Sequence, residues 1–353
     1  MKVTQLLPSV HSGDAVGDSA YEIHQAFQER GIASTILGVN IDDELRERAV
    51  DFRKFSQYDS PDTTHIYHFA VPSPITYTFK AAKGRKVVIY HNITPPHFFE
   101  RFSAELVTIT TTGRHEIQLL ADVTDLGLAD SEFNRLELVR YGFKKTGVLP
   151  ILLDFSKYTL PADENILKQY DDQKVNILFV GRITPNKKIE DVIKAFYVYK
   201  RFVNPDARLL LVGKYHEKEA YVQFLRELIV ELAVEDVHFS GHVTQQELNA
   251  FYQVSDVLLS MSAHEGFFVP AVESFYFHVP VLAYNCTAVP YTVGNAGILV
   301  NAKRYDEIAE MIQAVVAHQS LREAIIRGQS VRLAHFQKEK IFATLCNYLG
   351  IQS

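Results

Sequence analysis

The sequence is poor in cysteine, in tryptophan and in long apolar runs, and each shortage excludes a class of protein. Its 353 residues include two cysteines, Cys286 and Cys346, and no tryptophan. The cysteines match no metal or redox spacing, so we expect two free thiols in a cytosolic chain. No apolar run reaches the roughly 18 residues needed to cross a bilayer, and the first residues lack the basic and apolar regions of a signal peptide. The sequence therefore predicts a cytoplasmic protein and leaves a peripheral association with the inner face of the membrane open.

Several motifs for binding phosphates, dinucleotides and metals are also absent. The sequence has no Gly-x-Gly-x-x-Gly fingerprint, no Walker-type Gly-Lys-Ser/Thr and no Asp-x-Asp. No histidine pair has zinc spacing, so we predict no essential metal and no cofactor. The net charge of −6 argues against nucleic acid as a partner. Two local basic clusters are either solvated faces or contacts for an anionic lipid or glycan: Lys80, Lys83, Arg85 and Lys86, and Arg140, Lys144 and Lys145.

Short apolar runs alternate with segments of helical period, a pattern typical of parallel sheets covered by helices. In the first half, the predicted strands are "KVTQLLPSV", "ASTILGV", "HIYHFA", "KVVIYHNI" and "KTGVLPIL". After a polar segment at 160–174, the second series comprises "VNILFVG", "ARLLLVG", "VHFSGHV", "DVLLSMS", "PVLAY" and "GILV". The chain is too long for one ordinary core, so we predict an α/β protein with two Rossmann-like, doubly wound domains, 1–165 and 166–335. Ligands of such sheets bind beyond the C-terminal strand ends, and a cleft between two domains is a further natural site.

Two cations follow the first strand of the second domain, in "ILFVGRITPNKK". Arg182 and Lys187 lie beyond the C-terminal end of this strand, where ligands bind. Arginine offers a planar fork and lysine a point charge, which together suit a diphosphate. The alternative is that both are ordinary surface cations after a turn.

The stretch "HEGFFVPAVE" places two glutamates around a predicted helix start. Pro270 suits the first helical position, and the N–H groups at the start of a helix form an anion site. A carboxylate can accept two hydroxyl hydrogen bonds, as from a ribose diol or a sugar ring. Glu273 is also favourable simply as a negative charge in the first helical turn. Glu265 has no comparable structural explanation, so we predict that it contacts a ligand.

The first domain offers weaker candidates. "GDAVGD", residues 13–18, follows the first strand and is either a plain left-handed turn or a turn whose N–H groups approach a ligand. His91, in "IYHNITPP", ends a buried strand, and the sequence is equally compatible with a structural and a functional histidine there. His68, in "IYHFA", has the same ambiguity.

Taken together, these segments resemble a retaining glycosyltransferase of family 4, whose GT-B architecture has two Rossmann-like domains facing across a cleft. The similarity covers nearly the whole chain and is strongest from Val175 to Val300. "VGRITPNKKIEDVIKAF" is similar to the family's donor-phosphate segment. The later segments follow in the family's order, and the glutamates of "HEGFFVPAVE" match its Glu-x7-Glu motif. We also expect a C-terminal helix, about 336–353, to pack back on the first domain.

The resemblance implies roles in the second domain by position. Arg182 and Lys187 would neutralise the diphosphate of a sugar nucleotide. Glu265 would hold the donor sugar near the reacting carbon, and Glu273 would bind the ribose hydroxyls. Backbone N–H groups of the loop between the glutamates would help to hold the diphosphate: Gly266, Phe267, Phe268 and Val269.

The resemblance extends to four further donor-binding positions. Gly13 and Asp14 would line the cleft from the N-terminal side, and His91 would approach the donor sugar there. Val243 would contact the base through its backbone, which leaves the base itself undetermined.

The activity implied is transfer of a hexose from a nucleotide-diphosphate sugar to a glycan or lipid-linked acceptor, with retention of configuration and without a metal. Cell-surface polysaccharide or glycoconjugate biosynthesis is the expected context. One alternative is a non-catalytic sugar-nucleotide-binding partner within a biosynthetic complex. Another is a GT-B epimerase or phosphorylase, although the sequence shows no identifiable pyridoxal lysine. The donor, the acceptor and the oligomeric state cannot be read from the sequence.

The chain departs from the family pattern at five positions. Glycine is usual where Lys188, Phe268 and His278 stand, Ser274 replaces the commoner alanine, and Tyr291 replaces a glutamate. None of these changes affects the charged residues assigned to the donor, Arg182, Lys187, Glu265 and Glu273. We expect them to affect the identity of the donor more than activity.

Overall fold

The computed structural model describes residues 2–11 and 13–351. Internal contacts divide the chain into two units. Unit 1 consists of Met1–Glu100, Ala104–Asp154 and His335–Ser353, and unit 2 of Arg101–Ser103 and Phe155–Ala334. The main division thus falls between residues 154 and 155, whereas the sequence indicated a boundary at 165. The C-terminal segment groups with unit 1, and its residues 352 and 353 lie outside the described part.

The strands are β1 (Lys2–Val10), β2 (Ala33–Ile41), β3 (Val50–Asp51), β4 (Thr63–Phe69), β5 (Arg85–Tyr90), β6 (Leu126–Ala129), β7 (Thr146–Val148), β8 (Val175–Val180), β9 (Ala207–Val212), β10 (Val237–Gly241), β11 (Val257–Ser260), β12 (Val281–Tyr284) and β13 (Ile298–Val300). The helices are α1 (Ala15–Glu29), α2 (Ile75–Ala81), α3 (Ala104–Leu120), α4 (Glu132–Arg140), α5 (Glu164–Tyr170), α6 (Ile189–Phe202), α7 (Ala220–Glu231), α8 (Gln245–Gln253), α9 (Val269–Tyr276), α10 (Val289–Val293), α11 (Tyr305–Ala317), α12 (Gln319–Leu333) and α13 (Lys338–Leu349).

Unit 1 contains a seven-stranded parallel sheet in the order β3-β2-β1-β4-β5-β6-β7. Helices α1 and α13 pack on one face of the sheet, and α2, α3 and α4 on the other. Along β5, Val87 and Ile89 join the first of these cores, and Val88 and Tyr90 join the second. Successive side chains of a strand point to opposite faces, so a strand covered on both sides is apolar throughout.

Unit 2 contains a six-stranded parallel sheet in the order β10-β9-β8-β11-β12-β13. Helix α6 is one of the helices that cover this sheet. Its apolar residues recur at helical spacing and are all fully buried: Ile189, Val192, Ile193, Phe196 and Tyr199. Such a stripe buries one side of the helix against the sheet and leaves the charged side in solvent.

The C-terminal ends of β8 and β9 approach each other at two glycines. A Cβ on Gly213 would lie 2.0 Å from the carbonyl oxygen of Gly181. Both residues have positive φ, 150° at Gly213 and 145° at Gly181. Only glycine combines this conformation with so close an approach of two backbones. The contact fixes the backbone at the point where the chain leaves β8.

Most predicted strands are confirmed, including all six of the second series. Two strands of unit 1 were not predicted: β3, which has two residues, and β6, whose four residues include Gly127. The polar segment 160–174, which separates the two series of strands, contains helix α5. The carboxylate of Asp163 caps this helix by accepting from the N–H groups of Asn165 and Ile166, at 2.9 and 3.0 Å.

Both cysteines are free thiols, as predicted. Burial raises the pKa of the Cys286 thiol to about 11, so it is protonated at neutral pH. Within the described residues, no helix is both long and apolar enough to cross a membrane.

Candidate functional site

The strand order of unit 2 reverses between β8 and β11. Strands β9 and β10 lie on one side of β8, and β11, β12 and β13 on the other. Open α/β sheets bind ligands beyond the C-terminal strand ends at such a switch point. Arg182 and Lys187 follow β8, and Glu265 follows β11. Three predicted site residues therefore come from the two strands that flank the switch point.

Lys187 and Glu265 form an ion pair at this position. The distance from Lys187 Nζ to Glu265 Oε2 is 2.6 Å, and their side chains are 22% and 7% exposed. Asn186 joins the same two loops, because its Nδ2 donates to the carbonyl of His264 at 3.2 Å and its carbonyl accepts from the N–H of Ala263 at 2.8 Å. The β8 and β11 loops thus hold one cation and one anion together at the ligand edge of the sheet.

A third loop fixes the backbone of Glu265. The hydroxyl of Thr287, just beyond β12, accepts from the N–H of Glu265 at 2.8 Å and donates to its carbonyl at 3.0 Å. Glu265 is therefore held by its side chain from β8 and by its main chain from β12. A buried carboxylate held from both directions has a fixed orientation, which suits recognition of hydroxyl groups.

Arg182 does not join this pair. Its side chain is 59% exposed, and a guanidinium nitrogen lies 3.9 Å from Glu219 Oε1. An exposed ion pair at this distance contributes little free energy. The structure thus brings Lys187 and Glu265 together, while the Arg182 side chain extends into solvent from the same loop.

Glu273 lies deeper than the sequence indicated. Helix α9 begins at Val269, which places Glu273 beyond the first turn, so the predicted interaction with the helix N-terminus does not explain it. Glu273 is 5% exposed, and its two oxygens accept from the hydroxyls of Tyr158 at 3.1 Å and Tyr252 at 2.7 Å. Burial and the Glu273 carboxylate raise the pKa of Tyr252 well above its ordinary value. No motif marked these tyrosines in the sequence.

The loop before α9 ends in a left-handed residue. Phe268 has φ 81° and ψ 58° and is 3% exposed, and Phe267 beside it is also buried. Gly266 and Val269 are partly exposed. A side chain in this backbone region costs about 1–2 kcal/mol relative to glycine.

Lys188 and His278 adopt the same conformation, with φ 52° and 57°. The three positions where the related family usually has glycine are therefore all left-handed here. Ser274, a fourth departure, is fully buried, and its hydroxyl has no hydrogen-bond partner among the described residues. Tyr291, the fifth, is 45% exposed.

In unit 1, Gly13 and Asp14 form the turn between β1 and α1. Gly13 has φ 71° and is therefore left-handed, which agrees with the interpretation of residues 13–18 as a plain left-handed turn. Asp14 is the N-cap of α1, and its carboxylate accepts from the N–H of Gly17 at 3.3 Å. Capping is thus a structural role for Asp14.

His91 uses both of its ring nitrogens within unit 1. Its Nε2 lies 3.0 Å from His68 Nδ1, and its Nδ1 lies 3.0 Å from Asp130 Oδ2. These three residues follow or end β4, β5 and β6, at the C-terminal edge of the sheet. Asp130 was missed because the run "LGLA" before it was too short to be recognised as a strand.

One further donor-binding candidate, Val243, belongs to unit 2. Val243 is partly exposed between β10 and α8, next to Thr244, which forms a capping box with Glu247. Within the described residues, no group of three or more potential metal ligands occurs.

Two of the four cations in the first basic cluster are partly buried, and two are exposed. Arg85 donates to the carbonyls of Leu349 and Tyr348 at 2.7 and 3.0 Å, and Lys86 is partly buried. Lys80 and Lys83 are exposed, as are all the cations of the second cluster: Arg140, Lys144 and Lys145.

The fold of the whole chain is similar to that of the Anabaena protein Alr3699/HepE, solved in complex with UDP-glucose. The TM-score is 0.76 at 18% sequence identity, and the match covers 99% of each chain. The two parallel-sheet α/β units thus form the GT-B fold of glycosyltransferases, as the sequence predicted.

Residues 162–330 match the family described as glycosyl transferases group 1. The chain is 25% identical over 253 residues to O-antigen chain mannosyltransferase B of Escherichia coli, a match that covers 69% of this chain and 65% of that protein. It is 27% identical over 286 residues to an uncharacterized 41.2 kDa protein in the cps region of Klebsiella pneumoniae, which covers 75% of this chain and 72% of the relative. Residues 162–330, which include Lys187 and Glu265, thus match a family of glycosyltransferases.

Proposed function

We propose that this protein is a retaining, metal-independent glycosyltransferase of family 4. It moves a hexose from a nucleotide-diphosphate sugar to a glycan or lipid-linked acceptor in the biosynthesis of a cell-surface polysaccharide. The observation that carries this proposal is the Lys187–Glu265 pair, 2.6 Å apart at the switch point of the unit 2 sheet.

The charges of this pair match the two parts of such a donor. An ammonium at the end of β8 complements a diphosphate, and Arg182 on the same loop supplies a second, exposed cation. A fixed carboxylate complements sugar hydroxyls, for which it is an acceptor only. Helix α9 starts four residues after Glu265 and adds N–H groups that favour an anion.

These groups also suit the chemistry of the leaving group. When the glycosidic bond breaks, negative charge develops on the departing diphosphate. Lys187, Arg182 and the start of α9 would stabilise that charge without a divalent ion. The departing phosphate oxygen would then accept the proton of the acceptor hydroxyl, so the proposal names no separate general base. His91 is not assigned this task, because its ring nitrogens already have partners in unit 1.

Known relatives support the substrate classes. The Escherichia coli relative is named for mannosyl transfer to the O-antigen chain, and the Anabaena protein of the same fold was solved with UDP-glucose. By analogy with these relatives, we infer a nucleotide-diphosphate sugar as the donor and a growing polysaccharide as the acceptor. The cytoplasmic location and the peripheral membrane association stay predictions from the sequence.

The experiment that tests the proposal is Glu265→Gln, which keeps the size of the side chain and removes its charge. The donor is first chosen as the UDP-, GDP-, dTDP- or ADP-hexose that raises the melting temperature most. We expect the variant to lose about 10²–10³ in transfer rate, because an interaction with the transition state is lost. Binding of the nucleotide diphosphate should be retained or tighter, since Lys187 no longer has a competing carboxylate.

Glu164→Gln is the matched control. Glu164 is 81% exposed and pairs with Lys168 at 3.0 Å on the surface of unit 2. Its variant should transfer at the wild-type rate. Full transfer by Glu265→Gln would exclude the assigned role of Glu265.

The buried, left-handed Phe268 is the observation that favours the alternative, a non-catalytic sugar-nucleotide-binding partner. A phenyl ring at the start of α9 changes the loop that would face the donor. This alternative predicts the same thermal stabilisation by a sugar nucleotide but no turnover in the wild-type protein. Turnover that depends on Glu265 would exclude it.

Metal independence has its own test. We expect EDTA to leave the transfer rate within about twofold, because side chains and helix N–H groups meet the leaving-group charge. The control is a second sample with EDTA followed by excess Mg²⁺ or Mn²⁺. Strict dependence on the added ion would contradict this part of the proposal.

A further inference from the structure

A chain of hydrogen bonds crosses the interior of unit 1 and ends at a buried carboxylate. Gln5 Nε2 donates to the carbonyl of Ala20 at 2.9 Å, and His68 Nε2 lies 2.9 Å from Gln5 Oε1. His68 Nδ1 lies 3.0 Å from His91 Nε2, and His91 Nδ1 lies 3.0 Å from Asp130 Oδ2. The planes of the two imidazoles differ by 5°. Every link has the length of an ordinary hydrogen bond.

The first link fixes how many hydrogens the others need. A backbone carbonyl only accepts, so the amide nitrogen of Gln5 faces Ala20 and its oxygen faces His68. His68 Nε2 must therefore carry a hydrogen. The imidazole–imidazole link and the imidazole–carboxylate link need one hydrogen each. Three hydrogens are required in total.

Two neutral imidazoles supply only two hydrogens, and a carboxylate supplies none. This count does not depend on the tautomer of either ring. If His68 is neutral, His91 donates to it and needs a second hydrogen for Asp130. If His68 donates instead, it needs a second hydrogen itself. In each case the three side chains hold one additional proton.

Burial gives an independent reason for the proton. His68 is fully buried, and the side chains of His91 and Asp130 are 3% and 2% exposed. Without the proton, this cluster would carry a net charge of −1 in a dry interior, which is costly. The second carboxylate oxygen, Asp130 Oδ1, has no hydrogen-bond partner among the described residues that could offset that charge.

The electrostatics of Asp130 and His68 are set by burial and by His91. Burial raises the pKa of Asp130, and the interaction with His91 lowers it. Burial and His91 both lower the pKa of His68. Four other ionisable side chains on the packed strands and helices have partners of their own: His24 with Ser34, His65 with Asp59, Glu22 with Lys338, and Glu137 with Arg114 and Tyr90.

We propose that His68, His91 and Asp130 form a buried proton-binding site that is electroneutral at neutral pH. The site takes its proton from solvent as the chain folds and returns it on unfolding. It lies at the C-terminal edge of the unit 1 sheet, where β4, β5 and β6 end. The occupied site leaves His91 no free ring nitrogen with which to act as a base. The proposal stands apart from the proposed transfer reaction and is tested without any substrate.

Asp130→Asn removes the need for the additional proton while it keeps the hydrogen bonds. The amide can donate to His91 Nδ1, so all the links persist with two neutral imidazoles and no additional proton. Unfolding of the wild-type protein should then release one proton that the variant does not release. Between about pH 7.5 and 8.5, the unfolding equilibrium constant of the wild type should rise roughly tenfold more per pH unit than that of the variant.

The sign follows from the affinities of the two states. Unfolded histidine binds its proton with a pKa of about 6.5, and the folded site binds one more tightly. The stabilisation is therefore complete below that value and is lost as the pH rises through the folded pKa of the site. Asp122→Asn, a change at an exposed residue of unit 1, should keep the wild-type slope. Equal slopes for the wild type and Asp130→Asn in urea titrations would overturn the proposal.

A spectroscopic measurement on the wild-type protein covers the case in which the variant does not fold. At about pH 8, where free imidazole is neutral, ¹⁵N-histidine spectra should show one ring protonated at both nitrogens. If the proton resides on Asp130 instead, the infrared spectrum should show the carbonyl band of a protonated carboxyl group. Absence of both signals would overturn the proposal independently of any substitution.

Discussion

At Lys187 the proposed diphosphate would compete with the carboxylate of Glu265, which already pairs with the ammonium. The ammonium contacts Glu265 at 2.6 Å, whereas Arg182 on the same loop is 59% exposed. The two cations therefore differ in what their removal does. Loss of Arg182 would remove the proposed ligand contact and a weak, exposed ion pair with Glu219. Loss of Lys187 also leaves the carboxylate of Glu265, which is 7% exposed, without its charged partner.

We predict that Arg182→Ala and Lys187→Ala each weaken binding of the nucleotide diphosphate by about 10–100-fold, since a charged hydrogen bond contributes about 1.5–3 kcal/mol. Binding of the corresponding nucleoside should be unchanged. Lys187→Ala should in addition lower the free energy of unfolding by about 1–3 kcal/mol, because a buried acceptor loses its partner. Titration calorimetry and urea denaturation measure the two effects.

Lys168→Ala is the control for both variants. Lys168 is 75% exposed and pairs only with Glu164 at 3.0 Å, so its loss should affect neither binding nor stability beyond a few tenths of a kcal/mol. Equal losses for the diphosphate and for the nucleoside would show that the cations do not contact the phosphates.

At the scale of the element, helix α9 is bounded by left-handed residues at both ends. Phe268 precedes it, and His278 follows its C-cap with φ 57°. At this end, the N–H of Val279 donates to the carbonyl of Ser274 at 2.9 Å, a bond that closes the last turn. Such a helix end normally uses glycine, because only glycine takes this conformation without steric cost.

We predict that His278→Gly raises the free energy of unfolding by about 0.5–1 kcal/mol, because the left-handed strain is removed while an exposed side chain is lost. Chemical denaturation measures the change. His318→Gly is the control, since His318 is also exposed but has φ −106°. There glycine gains nothing in the folded state and should destabilise the protein. A destabilised His278→Gly would contradict the strain argument.

The elements themselves differ in how well the sequence predicts them. Strands such as β8 and β9 are buried on both faces, and five apolar residues in a run of six are sufficient to identify them. Strand β6 has four residues and includes Gly127, whose lack of a side chain makes room for the ring of Phe143. The sequence around β6 does not show that the ring of Phe143 packs against Gly127.

The same limit applies to the site. Arg182, Lys187 and Glu265 could be assigned from the sequence, because each follows a strand and carries a charge. The pairing of Lys187 with Glu265 depends on which strands are neighbours in the sheet, and residue order does not give this. The tyrosines that hold Glu273 come from a turn and from α8, far apart in the sequence.

At the scale of the whole molecule, buried histidines couple the stability of the fold to pH. His65 and His68 in unit 1 are both fully buried. Burial lowers the pKa of each, although the hydrogen bond with Asp59 partly offsets this at His65. The folded state therefore binds fewer protons than the unfolded state once the pH falls below the ordinary histidine pKa.

We predict that the protein loses stability as the pH falls from 7 towards 5. A base with a lowered folded pKa stabilises the fold above about pH 6.5, and this stabilisation is lost as the pH falls towards the folded pKa. Each of the two histidines contributes up to about 1.4 kcal/mol per pH unit in that range. Urea titrations at several pH values measure the slope. A free energy of unfolding that is constant from pH 7 to 5 would contradict the prediction.

The left-handed conformations of Lys188, Phe268 and His278 affect how proteins of this kind can be recognised. A sequence motif that requires glycine at those positions does not match this chain. A comparison of backbone torsion angles does, because φ is 52°, 81° and 57° whatever the side chain. The three positions thus adopt the backbone conformation that favours glycine while they carry side chains, and a motif defined by torsion angles would include this chain.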